Sequence, residues 1–208
     1  MILTVGDSFT YGEELANRTT DAWPYVLSRM QKQEVTNLGK GGASNQYIIR
    51  TVIEETAKQQ FDLVIVGWSD VSRIETYTYG KPVCIGHYGK RNIPWVSDYY
   101  KHSYDTKFSF QTWFTQILGL QQYLISINQP YLFVNVAGLQ GHYHDYKSDF
   151  VYLWNKYQVD NYPGWPSDGM LEWQGDCPKG PGGHPLELGH ERIAEKINEY
   201  IRNLGWLP

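Results

Sequence analysis

The sequence predicts an α/β fold in which a parallel sheet carries helices on both faces. Three observations support this prediction. Short apolar runs alternate with segments whose apolar residues recur at helical spacing, which is the order found in βαβ units. The third run, residues 61–66, is almost continuously apolar, as is typical of a parallel strand covered on both sides. The chain has 208 residues, enough to bury a full core, and we expect residues 1–208 to form a single domain.

The first third of the chain contains three predicted strands and two predicted helices. The elements are, in order, a strand over residues 2–5, a helix from Trp23 to Met30, a strand over residues 35–38, a helix from Ile48 to Thr56 and a strand over residues 61–66. Pro24 fits the first turn of the first helix, where its missing N–H costs nothing. Ser44 and Asn45 are candidate caps for the second helix. This order predicts that the three strands are parallel neighbours in one sheet.

The alternation resumes in the second half of the chain. The predicted elements are an amphipathic helix from Phe110 to Ile127, a strand over residues 131–136 and a closing helix from Ile193 to Leu204. Two irregular stretches, residues 75–107 and 138–183, are rich in Tyr, Gly, Pro and His. Long irregular stretches inside a compact domain are usually functional. We interpret both as insertions over the carboxyl edge of the sheet, where open α/β folds bind ligands.

Composition and charge narrow the class of protein. The net charge is −4 and the lysines and arginines are scattered, so nucleic acid and anionic membranes are not expected partners. Cys84 and Cys177 lie far apart without metal-type spacing and predict two free buried thiols. The chain as given shows no signal segment and no apolar stretch long enough to span a membrane, so we expect a cytoplasmic protein. The aromatic content of 15% fits either a large core or a sugar-binding groove.

A serine follows the first predicted strand, in the segment Gly6-Asp7-Ser8-Phe9-Thr10. A serine on a tight turn at the end of a buried strand lies at the rim of the sheet, where its hydroxyl and its backbone N–H can face one cleft. A serine that merely caps the turn is the simpler alternative for this tripeptide alone. Asp7 is expected to hold the turn through hydrogen bonds to its own backbone.

Two further strands are each followed by a turn that can carry chemistry. The second leads into Asn37-Leu38-Gly39-Lys40-Gly41-Gly42, a glycine-rich turn that exposes backbone N–H groups of the kind a developing oxyanion needs. A phosphate-binding loop is excluded because no Gly-Lys-Ser/Thr ending is present. The third strand leads into Gly67-Trp68-Ser69-Asp70.

A histidine precedes the last predicted helix, in Gly183-His184-Pro185. The proline keeps His184 extended at the mouth of the helix, the fixed presentation that a general base needs. His190, six residues after His184, is interpreted as a helix-surface or packing residue and not as a second base. His142 and His144 lie beside Asp145 and resemble a metal pair, but no third ligand is visible, so an aromatic-rich surface loop is the favoured interpretation and no metal or other cofactor is predicted.

Taken in order, these four segments resemble the blocks of the SGNH hydrolase superfamily, also called GDSL lipases and esterases. The resemblance extends over nearly the whole chain and implies a three-layer, flavodoxin-like α/β fold. It also implies that Ser8 is the nucleophile, that His184 is its base, and that the backbone N–H groups of Ser8 and Gly42 form the oxyanion hole.

The chain departs from the pattern of this superfamily at two positions. Ser69 stands where the superfamily has an asparagine that donates to the oxyanion, and a serine hydroxyl is a shorter donor whose proton is not fixed in direction. Pro181 stands where the superfamily has the aspartate that orients the histidine. The orienting acid is therefore missing, replaced by a backbone carbonyl, or supplied by Asp176.

The residues favour a serine hydrolase that cleaves an ester through an acyl-enzyme. The Tyr-, Gly- and His-rich insertions favour an acyl group, such as acetyl, on a carbohydrate or another small polar substrate over a long lipid chain. Two alternatives stay open. A binding module that has lost catalysis is supported by Ser69 and Pro181, and an acyltransferase would use the same residues.

Overall fold

Four parallel strands form the centre of the fold in the computed structural model, which describes residues 1–78, 80–87, 93–137, 152–153, 155–157 and 159–205. They are β1 (Ile2–Val5), β2 (Val35–Asn37), β3 (Leu63–Trp68) and β6 (Tyr131–Asn135), in the spatial order β2-β1-β3-β6. All neighbouring pairs are parallel. The predicted fold class, a parallel sheet flanked by helices, is confirmed.

Strand β3 is displaced by two residues from its predicted range. Its pairing with β1 begins at Leu63, which lies opposite Ile2. At the other end Trp68 still pairs with Asn135 on β6. The apolar run used for the prediction is broken at Gly67, but backbone pairing continues across it. The strand therefore carries its last residues further toward the carboxyl edge of the sheet.

Helices cover both faces of this sheet. Their bounds are α1 (Ser8–Tyr11), α2 (Arg18–Asp21), α3 (Trp23–Gln31), α4 (Asn45–Thr56), α5 (Pro94–His102), α6 (Thr106–Ser126), a 3₁₀ turn (Val159–Asn161), α7 (Met170–Trp173) and α8 (Glu187–Leu204). On one face, Val64 and Val66 of β3 share a core cluster with residues of α4 and α6. On the other face, Leu63 and Ile65 share a second cluster with residues of α3 and α8. Alternate residues of β3 thus serve opposite cores, because side chains alternate across a strand.

The first stretch that was predicted to be irregular contains regular structure. Strands β4 (Ile74–Thr78) and β5 (Lys81–Ile85) form an antiparallel hairpin, and helix α5 follows. Gly80 lies in the hairpin turn at φ +75°, a conformation that glycine adopts at little cost. Pro94 begins α5, in the position where its fixed φ is favourable. Among the residues that the structure describes, no helix is long and apolar enough to cross a membrane.

His190 is fully buried where α8 packs against α3. Its Nδ1 accepts a hydrogen bond from the backbone N–H of Trp23 at 3.2 Å. Burial, reinforced by the nearby His184, lowers the pKa of His190 from 6.5 to about 4. As the pH falls through this interval, the unfolded chain binds a proton at His190 that the folded protein does not, so stability is lost.

We therefore expect the free energy of unfolding of the wild type to fall by roughly 2 kcal/mol more than that of His190→Gln between pH 7 and pH 4.5. Glutamine keeps an oxygen that can accept from the Trp23 N–H but has no proton to gain. Urea unfolding curves at the two pH values measure the difference. An equal loss in both proteins would assign the acid sensitivity to other groups.

Candidate active site

Ser8 is the first residue of α1 and follows β1 after only two residues. Asp7 caps this helix, and its side chain accepts a hydrogen bond from the Phe9 N–H at 3.0 Å. Gly6 allows the sharp turn, because a Cβ there would lie 2.2 Å from Oγ1 of Thr10. The result is a serine held at the carboxyl edge of the sheet with 5% of its surface exposed.

The glycine-rich turn after β2 is tied by hydrogen bonds to the turn that carries Ser8. Asn37 donates from Nδ2 to the carbonyl of Thr10 at 2.9 Å, and its Oδ1 accepts from the Gly39 N–H at 3.0 Å. Gly42 has φ +70°, which favours glycine at this position. Among the described residues, the N–H groups of Ser8 and Gly42 have no hydrogen-bond partner.

Glu14 holds His184. Its Oε2 lies 3.0 Å from Nδ1 of the imidazole and also accepts from the His184 backbone N–H at 3.0 Å. Its Oε1 accepts from the Gly182 N–H at 2.5 Å. These two backbone hydrogen bonds, together with His184, lower the pKa of Glu14. A carboxylate on Nδ1 leaves Nε2 of His184 as the nitrogen that can accept a proton.

Asp176, which the sequence analysis considered as the acid that orients His184, lies in a different environment from Glu14. Its backbone carbonyl accepts from Nη1 of Arg192 at 3.0 Å, and it makes no described contact with His184. Pro181 lies in the exposed loop between Gly180 and His184, and the Gly180 N–H donates to the His184 carbonyl at 2.9 Å. The partner of Nδ1 is therefore a side chain from the opposite end of the chain.

Ser69 takes part in a buried ionic network. Its hydroxyl donates to Oδ2 of Asp7 at 3.0 Å and accepts from Nη1 of Arg73 at 2.8 Å. Arg73 also donates to the same Asp7 oxygen at 2.8 Å. Burial raises the pKa of Asp7, and the Arg73 guanidinium opposes that rise. Because a guanidinium can only donate, the single Ser69 proton is directed at Asp7 in this arrangement.

One cavity of about 460 Å³ joins these groups. Ser8, Ser69 and His184 all line it, as does Arg73, whereas Gly42 does not. Its remaining wall is mixed: aromatic residues, among them Phe9, Trp68 and Tyr104, stand beside aliphatic and polar residues. Three predicted site residues are thus brought together at one edge of the sheet: Ser8 after β1, Ser69 after β3 and His184 before α8.

The possible metal ligands His142, His144 and Asp145 lie outside the described residues. Within the described part of the chain, no group of three or more His, Cys, Asp or Glu side chains could hold a metal ion. Cys84 and Cys177 are free and buried, as predicted.

Glu14 and Arg73 are the two site residues that the sequence analysis did not identify. Glu14 follows α1 at φ +68°, and 170 residues separate it from His184. Its proximity to the nucleophile block, six residues after Ser8, is the one local signal that points to it. Arg73 stands four residues after Ser69, just beyond the third block, and has no counterpart in the pattern of the four segments.

Solved structures with the same fold include enzymes. TesA shares 13% sequence identity, with a TM-score of 0.62 over 98% of this chain and 98% of that one. A member of the lipolytic protein G-D-S-L family from Veillonella parvula DSM 2008 shares 14%, with a TM-score of 0.53 over 95% and 96%. An acetyl xylan esterase, Est2A, from the rumen bacterium Butyrivibrio proteoclasticus shares 13%, with a TM-score of 0.57. This chain is covered to 99% in that comparison but spans only 64% of Est2A. Identities this low show a shared fold.

No curated protein matches the sequence significantly. The model of DUF6071, described as a family of unknown function, matches residues 10–208. This match covers nearly the whole chain, and the protein therefore belongs to the DUF6071 family.

Proposed function

We propose that the protein is a serine hydrolase of the SGNH type, with Ser8 as nucleophile and His184 as general base. The observation that carries the proposal is the Glu14–His184 pair beside a cavity that Ser8 also lines. A carboxylate, an imidazole and a serine at one cleft are the three parts of a nucleophilic triad, which is recognised by roles and geometry and not by chain position.

In the proposed reaction, Nε2 of His184 takes the hydroxyl proton as Oγ of Ser8 attacks the ester carbonyl carbon. The tetrahedral intermediate collapses, the alcohol leaves with the proton from Nε2, and the acyl group stays on Ser8. Nε2 of His184 then takes a proton from a water molecule, which attacks the acyl carbon; the bond to Oγ breaks, Oγ takes the proton back from Nε2, and the acid leaves. The N–H groups of Ser8 and Gly42, which have no partner among the described residues, are the proposed oxyanion donors.

Glu14 takes the place of Asp176 in this proposal. Its hydrogen bond to Nδ1 fixes the imidazole tautomer and stabilises the imidazolium that forms during attack. Ser69 is given a supporting role, because its proton is used by Asp7 and the pair holds the cap of the nucleophile helix. The protein is thereby expected to work with two backbone oxyanion donors.

The proposed substrate is an acyl ester, such as an acetyl group, on a carbohydrate or another small polar molecule. Phe9 and Tyr104, which line the cavity, are aromatic side chains of the kind that can pack against a sugar ring. Est2A, which shares the fold, is an acetyl xylan esterase. A long lipid chain would instead call for an extended aliphatic lining.

A fluorophosphonate probe tests the proposal directly, because it labels only an activated serine. We expect the wild type to be labelled at Ser8 and Ser8→Ala to take no label while keeping its circular dichroism spectrum. Ser126→Ala, which changes an exposed serine at the end of α6, is the matched control and should be labelled like the wild type. Folded wild-type protein that takes no label would favour a binding module.

A further inference from the structure

The guanidinium of Arg73 lies where the three chain segments around the proposed oxyanion meet. Its Nη1 donates at 2.8 Å to Oδ2 of Asp7, the residue before the nucleophile, and at 2.8 Å to Oγ of Ser69. The same nitrogen is 3.5 Å from the carbonyl oxygen of Ala43, the residue after Gly42. One side chain therefore contacts the nucleophile turn, the glycine-rich turn and the turn after β3.

Only one end of this guanidinium is used within the described part of the chain. The side-chain hydrogen bonds that Arg73 makes there all come from Nη1, whereas Nη2 and Nε carry the other N–H groups. Gly86 covers the stem, since a Cβ at this glycine would lie 3.1 Å from Cγ and 3.8 Å from Nε of Arg73. Arg73 lines the cavity, and its side chain is 27% exposed. This leaves Nη2 as the end that is free to meet a group in the cavity.

The charge and the position of Arg73 are both fixed before any reaction. A guanidinium stays protonated throughout the usual pH range, so it can donate hydrogen bonds to an anion without giving up a proton. Asp7, which is 2% exposed, anchors it through a buried ion pair. Donors that are fixed in advance stabilise a developing charge without a cost of reorganisation.

A donor is missing at this point of the site. Ser69 stands where the superfamily has an asparagine that donates to the oxyanion, and its only hydroxyl proton is directed at Asp7. We propose that Arg73 is a catalytic residue that replaces this donor, with Nη2 donating to the oxyanion beside the N–H groups of Ser8 and Gly42. The inference rests on the hydrolase function proposed above.

The proposed step involves no proton transfer from Arg73. As Oγ of Ser8 attacks, the π electrons of the ester carbonyl move onto its oxygen, and the hydroxyl proton passes to Nε2 of His184. The guanidinium stabilises the negative oxygen by hydrogen bonding. The electrons return to the carbonyl when the alcohol leaves, and the same oxyanion forms again when water attacks the acyl group.

Removing Arg73 alone would leave Asp7 buried without its partner, so the experiment removes Arg73 from a chain in which residue 7 is already uncharged. The reference is Asp7→Asn, whose amide keeps an oxygen for the Phe9 N–H, and the test variant is Asp7→Asn/Arg73→Met. The second change should lower kcat for 4-nitrophenyl acetate about 10²- to 10³-fold, as is usual for loss of one oxyanion donor. KM should stay within a few-fold, because the charge develops only in the transition state.

Phenylboronic acid gives a second measurement that does not depend on turnover. Its boron accepts a lone pair from Oγ of Ser8 while the proton passes to Nε2 of His184, and the tetrahedral anion that results resembles the proposed intermediate. By isothermal titration calorimetry, its dissociation constant should rise about ten- to a hundred-fold from Asp7→Asn to the double variant, as expected for loss of a hydrogen bond between charged groups.

Two further variants check the interpretation. Arg73→Lys keeps a cation beside Asp7 but has a single nitrogen in place of a guanidinium. The ammonium can pair with Asp7 and leaves no second nitrogen for the oxyanion, so kcat should fall about 10²-fold in a folded protein. Lys196→Met removes a cation of α8 that does not line the cavity, and it should leave kcat and the dissociation constant unchanged.

The outcomes separate this inference from the hydrolase proposal. A wild type that is labelled and hydrolyses the ester, with a double variant as active as Asp7→Asn, would show that Arg73 serves only the structure, and the hydrolase would stand. A rise in KM with kcat unchanged would also overturn the inference, because Arg73 would then bind the ester before the reaction. A wild type that is neither labelled nor active contradicts both proposals.

Discussion

Replacing Glu14 by Gln is expected to lower kcat/KM for ester hydrolysis by about 10⁴, the loss seen when an orienting carboxylate becomes an amide in a serine protease. The carboxylate receives two backbone N–H groups and the imidazole Nδ1. An amide has one oxygen and one NH₂ group, so it cannot accept from Gly182 and His184 together. The His184 imidazole is then no longer held in the tautomer and the position that the reaction needs.

Asp176→Asn is the matched control for this prediction. Its side chain makes no described contact with His184, so hydrolysis of 4-nitrophenyl acetate should stay within a few-fold of the wild type. A circular dichroism spectrum like that of the wild type checks that Glu14→Gln is folded, so that its loss of activity cannot be assigned to unfolding. Equal activities for Glu14→Gln and the wild type would sink the triad assignment.

Replacing Arg73 by Met is expected to lower the free energy of unfolding by about 3 kcal/mol at pH 8, the lower end of the loss when one partner of a buried ion pair is removed, because Asp7 is buried but Arg73 is 27% exposed. Asp7 is 2% exposed and keeps only the Ser69 hydroxyl and the Phe9 N–H as donors. Without the opposing guanidinium, burial raises the pKa of Asp7 further above its unfolded value of 3.8.

The stability lost in Arg73→Met should depend on pH, because the ionisation of Asp7 depends on pH. Well below pH 3.8, the unfolded pKa, Asp7 is neutral in both states, and the difference between variant and wild type should shrink. As the pH rises through the raised pKa, the folded variant must either hold a buried proton or ionise without a partner, and stability is lost. Lys196→Met is the control, because Lys196 and its partner Glu199 are 38% and 58% exposed and such pairs contribute about 1 kcal/mol or less. Similar losses for the two variants would contradict the role of the buried pair.

The sequence predicted those parts of the fold and site that depend on local patterns. Short β-rich runs located all four sheet strands, and helical spacing located α3, α4, α6 and α8, with errors of up to six residues at their ends. The hairpin of β4 and β5 was missed because its alternation is short and its Pro82 and Gly80 are typical of irregular chain.

Glu14 could not be predicted in the same way. The orienting acid was sought just before His184, because the superfamily places it there, but the contact depends on how two distant loops meet in space. The hydrogen bond from the Ser69 hydroxyl to Asp7 could not be predicted either, since it depends on Arg73 and Asp7 both lying next to Ser69 in the folded protein. Local pattern indicates which residues stand at the edge of a sheet, and only packing decides which of them touch.

The contact between Glu14 and His184 also bears on when the protein can become active during its synthesis. The ribosome makes the nucleophile strand and Glu14 first, and His184 follows 170 residues later, after roughly 10 to 30 seconds at usual translation rates. Until the closing helix has emerged and docked, the nascent chain carries a serine with no base to activate it. The proposed triad therefore makes the reactivity of Ser8 depend on completion of the fold, and a partly synthesised chain has no activated serine.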